Sequence, residues 1–175
     1  YEEGDDQLKP EVAYNLTGSV DYSYKRFRAE LGIYRNLIQN FIYLKPQVEP
    51  ILTIRGAFPY FKYVQTQATF TGIDLDTEWE IIANKLTLAQ KLAYLRAYDL
   101  RENNYLVLIP ANRLENGLSW QLGKVFKFDN TYFSLNHLWV DRQRRVPPNS
   151  DFMEPPAAYH LWSIVAGGDL PFSKE

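Results

Sequence analysis

The chain has no cysteine, only two histidines and no long uninterrupted apolar run. Each shortage removes a class of explanation. Without cysteine there is no disulfide scaffold and no thiol zinc site, which suits a bacterial envelope protein. His137 and His160 stand 23 positions apart and offer no metal-ligand spacing. No stretch approaches the roughly 18 apolar residues that a spanning helix needs. The opening Tyr1-Glu2-Glu3-Gly4-Asp5-Asp6 is acidic, not basic and then apolar as in a secretory signal, so a processed chain or an excerpt is expected. A formal net charge of −2 gives no reason to expect a nucleic-acid partner. No motif suggests a nucleophile, a phosphate loop or a cofactor, and an enzyme is not expected.

What is present is aromatic and patterned. Apolar residues make up 46% of the 175 and aromatics 15%, with 13 Tyr, 10 Phe and 4 Trp, too rich for a disordered chain. From Val12 to Tyr24 the even positions are Val12, Tyr14, Leu16, Gly18, Val20, Tyr22 and Tyr24. The odd ones are Ala13, Asn15, Thr17, Ser19, Asp21 and Ser23. Such alternation makes a strand with one apolar and one polar face, and this one exceeds the about 9–11 residues of a tilted membrane strand. The pattern recurs in Phe27–Leu37, with Arg35 interrupting the apolar face, and in Ile73–Ile81. There Asp74, Asp76, Glu78 and Glu80 share one face, which suits a wet lumen with cross-strand basic partners better than a dry core. Leu114–Gly123 repeats it, and Tyr132–Trp139 does so less cleanly.

The connectors also alternate. Short polar joints lie near Ser23–Arg26, Ala83–Lys85 and Gly123–Asn130, and long proline-bearing stretches at Leu44–Tyr60, Asp99–Asn112 and Asp141–Ala158. Tight turns at one end and long loops at the other are the plan of an up-and-down transmembrane barrel. Thr87–Tyr98 competes with this reading. Leu88, Leu92 and Leu95 fit a helix, while Leu86, Leu88, Leu92 and Tyr94 share a strand parity. Its place after a short turn and between two strand candidates favours a strand.

Four segments resemble TonB-dependent receptors. Leu8-Lys9-Pro10-Glu11 is similar to the LKPE element that closes an extracellular loop in that family. Thr71-Gly72-Ile73-Asp74-Leu75-Asp76 resembles its Gly-Val-Glu-Leu-Glu strand, with Asp74 where Glu is usual. Ile109-Pro110-Ala111-Asn112-Arg113-Leu114 resembles a loop exit, and Tyr159–Ile164 a strand near the barrel's end, with Ser163 in place of Asn. The resemblance implies an all-β fold, about seven antiparallel strands of a larger barrel in the bacterial outer membrane. It places residues 1–175 in the C-terminal barrel region, with the plug domain and the final strands absent and the chain stopping at Phe172-Ser173-Lys174-Glu175. It implies import of a scarce nutrient such as an iron chelate, haem, cobalamin or an oligosaccharide. The partners would be membrane lipid, the rest of the barrel and plug, and TonB through that plug.

On this reading the long connectors form a ligand-facing mouth. Its candidate residues are Phe58, Tyr60, Tyr63, Arg101, Asn104, Tyr105, Arg142, Arg144 and Arg145. Aromatics suit flat ligands or sugar faces, and arginines suit anionic chelates. The plainer expectation for each is a solvated or loop-packed side chain. The Asp74–Glu80 acids read as a wet wall sooner than a calcium site or a glycosidase-like pair. His137 reads as a membrane-boundary residue, and the Asn15-Leu16-Thr17 sequon as a chance match inside a strand. The rival class is a soluble β-barrel or sandwich that holds a ligand in its core.

Overall fold

The computed structural model describes residues 1–147 and 154–170. In chain order its strands are β1 (Glu2–Glu3), β2 (Val12–Tyr24), β3 (Phe27–Pro46), β4 (Ile51–Thr53), β5 (Gly56–Phe58), β6 (Phe61–Ile82), β7 (Leu86–Asp99), β8 (Asn104–Tyr105), β9 (Arg113–Val125), β10 (Phe128–Val140) and β11 (Tyr159–Asp169). Among the described residues there is no helix, and so none long and apolar enough to cross a membrane. The strand expected over Thr87–Tyr98 is β7. Its cross-strand partners on both sides outweigh a helical propensity that is only local. The expected chain end at Phe172–Glu175 and part of the connector after Asp141 lie outside the described residues.

Seven long strands form one antiparallel meander in the order β11-β10-β9-β7-β6-β3-β2. β1 adds to β6 in parallel, β8 adds to β7, and β4–β5 form a separate hairpin. The meander does not close: β2 and β11 are its two edges. Turns at Lys25–Arg26, Ala83–Lys85 and Phe126–Lys127 define a turn end, and Lys25, Asn84 and Phe126 take positive φ there. β2, with 13 residues, is about 43 Å long and rises about 30 Å at a 45° tilt. β6, with 22 residues, is about 70 Å long and projects far beyond that height.

The register sorts the side chains into two faces. One row crosses the sheet as Tyr24, Phe27, Trp79, Leu88, Leu118, Leu135 and Ile164. It meets the first turn at Tyr24 and Phe27, yet runs well above the third turn when it reaches Leu118 and Leu135. The strands are therefore staggered, as barrel strands must be. On the other face Asp21, Glu30, Asp76, Lys91, Glu115, Leu138 and Leu161 share a row.

The apolar face has no second layer over it. Leu16 is 73% exposed and Ile164 67%, while the buried hydrophobic core among the described residues is no more than Ala68, Ala97 and Leu106. On the polar face Tyr34 lies across Gly72, where a Cβ would come within 2.2 Å of the ring. The glycine of the Thr71–Asp76 strand is thus the floor under an aromatic ring.

Candidate functional site

Beyond the end of β2, β3 and β6 continue as a two-stranded tower, and the connectors fasten to it and to the end of β7. β7 ends in Asp99, a carboxylate only 2% exposed. Its Oδ1 accepts from Thr66 Oγ1 at 2.5 Å, Arg101 N at 2.9 Å and Glu102 N at 3.0 Å, and Tyr43 Oη donates to Oδ2 at 3.4 Å. A buried charge needs this many donors. Burial, reinforced by the Glu102 and Asp99 carboxylates, pushes the Tyr43 phenol above its ordinary value. Lys45 pairs with Glu102, so the Asp99–Asn112 connector is tied to β3 as well as to β7. Ala68, Ala97 and Leu106 form a small apolar core beside this hub, with Phe41, Tyr43, Phe70 and Ile109 against it.

The Leu8–Glu11 element fastens the other side. β2 stops pairing at Val12, opposite Gln39. Beyond it, Glu11 Oε1 accepts from Ile42 N at 2.6 Å, a side chain standing in for the missing strand. Pro10 O accepts from Asn40 Nδ2 at 3.2 Å, and Lys9 N donates to Gln65 Oε1 at 2.8 Å. These bonds surround a bulge: β3 advances from Ile38 to Phe41 while β6 advances from Ala68 to Thr66. Asn40 takes φ 55° there.

The nine candidate mouth residues fall into three groups. Phe58, Tyr60 and Tyr63 gather around the first three residues. Tyr1 meets Phe58 edge-on at 5.8 Å, Tyr60 bonds Glu3, and Tyr63 Oη donates to Glu2 at 3.2 Å. The Glu2 carboxylate raises the Tyr63 phenol. Tyr63 belongs to β6, not to a loop. Arg101, Asn104 and Tyr105 lie on the hairpin capped by Asp99. Arg101 is exposed, Asn104 Oδ1 accepts from Tyr105 N at 2.8 Å, and Tyr105 stands edge-on to Tyr98 at 5.5 Å, on the parity of the apolar face. Arg142, Arg144 and Arg145 follow β10. The first two are exposed, and Arg145 shares a notch with Arg96, Asn112 and Gln143. Tyr105 lines the same notch as Arg142 and Arg145, so the second and third groups adjoin there.

Two features escape sequence reasoning. One is the Asp99 hub, whose members are far apart in the chain. The other is a polar row across the apolar face. Gln90 Nε2 donates to Asn116 Oδ1 at 2.8 Å, Asn116 Nδ2 meets His137 Nδ1 at 3.3 Å, and His137 Nε2 meets His160 Nδ1 at 2.9 Å. Trp162 stacks on His137 at 4.2 Å. The histidines, read apart in the sequence, are neighbours in space, although no group of three or more metal-ligating side chains forms among the described residues. Of the four acids Asp74–Glu80, Asp76 meets Lys91 at 2.9 Å, the cross-strand pairing expected.

This architecture matches known folds. The structure superposes on the copper transporter OprC with a TM-score of 0.75 at 19% identity, covering 91% of this chain and 23% of that one. A mutant of the ferric enterobactin receptor PfeA from Pseudomonas aeruginosa gives 0.66 at 20% identity, with 99% and 25% covered. The FrpB iron transporter from Neisseria meningitidis gives 0.64 at 13% identity, with 97% and 25% covered. The chain thus spans about a quarter of the length of these structures. No curated protein sequence matches it. The family model described as TonB dependent receptor-like, beta-barrel matches residues 1–173. Alternating strands, staggered register and loop-end fastenings agree with that match, and the chain belongs to the TonB-dependent receptor family as part of its β-barrel.

Proposed function

We propose that this chain is part of the wall and mouth of an outer-membrane receptor that imports a scarce nutrient with energy delivered through TonB. The carrying observation is the separation of charge. Along the regular ladder, Asp21, Glu30, Asp74, Asp76, Glu78, Glu80 and Glu115 all fall on the polar face, and no carboxylate falls on the other. A lipid-facing wall with a wet lumen behind it requires this. The soluble-module reading needs a second layer over the apolar face, and the described residues provide none.

Residues 1–175 would then be a C-terminal barrel region, with the plug and the remaining strands supplied by the rest of a longer polypeptide. The acids facing the lumen leave it negative, with Arg28, Lys91 and Arg113 as the basic residues on the same ladder. Basic plug groups would complement it, and TonB would act through that plug.

The ligand class we favour is a metal chelate. OprC is described as a copper transporter, PfeA as a ferric enterobactin receptor and FrpB as an iron transporter. Arg101, Arg142 and Arg144 are exposed loop cations suited to an anionic chelate, and Phe58 and Tyr60 offer ring faces. Haem, cobalamin and an oligosaccharide are the alternative nutrients. The wall itself carries out no chemistry.

The test is a blot of source-cell membranes with an antibody to residues 141–158, with and without boiling. A band several times heavier than 20.5 kDa that shifts on heating supports a large detergent-resistant barrel. A soluble band near that mass with no heat shift would sink the reading.

A further inference from the structure

We infer that the apolar face carries, at its loop-end border, a docking site for the phosphate of an anionic lipid headgroup, held between Arg35 and Arg96. The inference rests on the membrane reading above. Arg35 of β3, Thr71 of β6 and Arg96 of β7 are register partners in one rung. The two arginines are two strand spacings apart, about 9–10 Å between backbones. All three residues have the parity of Leu31, Ile33, Ile73 and Leu75, so they belong to the apolar face.

Two guanidiniums on a face without carboxylates need an anion from elsewhere. None of the ion pairs among the described residues includes either arginine. Arg96 is held by neutral groups: its Nη1 donates to Leu95 O at 2.6 Å and Asn112 Oδ1 at 2.7 Å, and it lies over the Tyr94 ring at 3.6 Å. These contacts fix the cation without neutralising it. Arg145, beside Arg96 in the notch, adds a third positive charge. Thr71 is exposed between the arginines. One rung higher on the same face, Thr69 Oγ1 is buried without a hydrogen-bond partner.

Depth favours a lipid over a free anion. Counted along tilted strands, Arg35 lies about 19 Å and Arg96 about 23 Å above their turns, near the border of a band about 25 Å tall. The rungs immediately below are apolar, with Ile33 53% and Ile73 40% exposed. A headgroup phosphate on the rung would leave its acyl chains lying on Ile33 and Ile73. Arginine matches phosphate with two parallel N–H donors, and Thr71 can add a hydroxyl.

The test uses the complete receptor in phosphatidylcholine bilayers that contain trace spin-labelled phosphatidylglycerol or spin-labelled phosphatidylcholine. Wild type should hold the anionic lipid in preference, by roughly fivefold per arginine. Arg35→Gln with Arg96→Gln should remove that increment, and Arg35→Lys with Arg96→Lys should keep much of it. Excess inorganic phosphate should leave the preference intact. Its loss on adding phosphate would make this a free-anion site and overturn the inference, as would an undiminished preference in the glutamine variant. A nitroxide at Ile33→Cys separates the two levels of failure. If oxygen quenches it more than a nickel chelate does, the face is in lipid, and an unchanged preference defeats only the headgroup site. A water-exposed label defeats the membrane reading and the site together. Heat-shifted migration of each variant establishes that it is folded.

Discussion

Below the Arg35–Thr71–Arg96 rung the sheet sorts its charges by face: Ile73 and Asp74 are adjacent in sequence, yet one joins a mainly apolar surface and the other a row of charges. Above it, the tower follows a different rule. Lys45 and Glu102 pair, Lys62 meets Glu3, and Asp99 is buried among donors. On the membrane reading, the faces below meet two different solvents, so charge is confined to one of them. Above, water lies on both sides, so contacts within the chain decide which side chains are buried. Height along one strand therefore changes which physical term governs a residue.

The sharpest way to break this contrast is to exchange solvents at neighbouring positions. Leu75→Arg puts a cation on the apolar face about 16 Å above its turn, near the middle of the band, and should cost about 2–4 kcal/mol. Asp74→Arg on the wet face should cost far less. Urea titration of the receptor folded in vesicles compares them, and equal costs would contradict the assignment of faces.

A smaller effect belongs to Gly72, where any Cβ must displace the Tyr34 ring. Gly72→Ala should destabilise by about 1–3 kcal/mol. In a Tyr34→Ala background most of that cost should vanish, and strict additivity in the double-mutant cycle would refute the packing account.

Smaller again is the polar row. His137→Leu leaves the Asn116 amide and His160 without their partner, a loss of about 0.6–1.7 kcal/mol by comparison with other intramembrane hydrogen bonds. Replacing Gln90, Asn116, His137 and His160 together by leucine should recover stability, since no member of the row is then stranded. If the quadruple variant is the weaker of the two, the row does more than satisfy itself.

The mildest test is pH, and it reaches only the tower. Tyr43 has a raised phenol pKa, so folding holds its proton more tightly than the unfolded chain does. Its contribution is complete below the ordinary tyrosine value near 10 and fades as pH rises above it. Hydrogen exchange at the Arg101 and Glu102 amides should quicken in that alkaline range while Ile73 and Leu75 stay protected. A uniform response would mean that the Asp99 hub is not a local latch.

The same contrast explains what could be read from the sequence. Val12–Tyr24 announces itself because every residue of β2 is sorted by solvent. The Phe61–Gly72 half of β6 does not alternate cleanly, because most of it stands above the apolar band, and its length was not foreseen. Thr87–Tyr98 has helical spacing, and only its cross-strand partners settle it as β7. His137 and His160 come together through a connector that the strand pattern alone could not fold, so their sequence spacing concealed the contact. The nine mouth residues were chosen for chemistry and loop position. The structure shows where each sits, and uptake by arginine variants of the complete receptor remains the measure of their role.

The bulge at Asn40 has one more consequence. One extra residue in β3 shifts the reading frame of every side chain beyond it, much as an inserted base shifts every codon downstream. Through Ile38, even-numbered residues of β3 look to the polar face; from Phe41 onward, odd-numbered residues do. Deleting Asn40 would remove the bulge and leave those faces as they are, whereas pairing Asn40 regularly in the ladder would mistranslate the tower, turning Phe41, Tyr43 and Lys45 outward and Ile42 and Leu44 inward. Asp99 would lose Tyr43, and Glu102 would lose Lys45, with no change to any residue that touches either carboxylate. The Leu8–Glu11 element, bonded to both sides of the bulge, acts as the punctuation that tells the strand where its second frame begins.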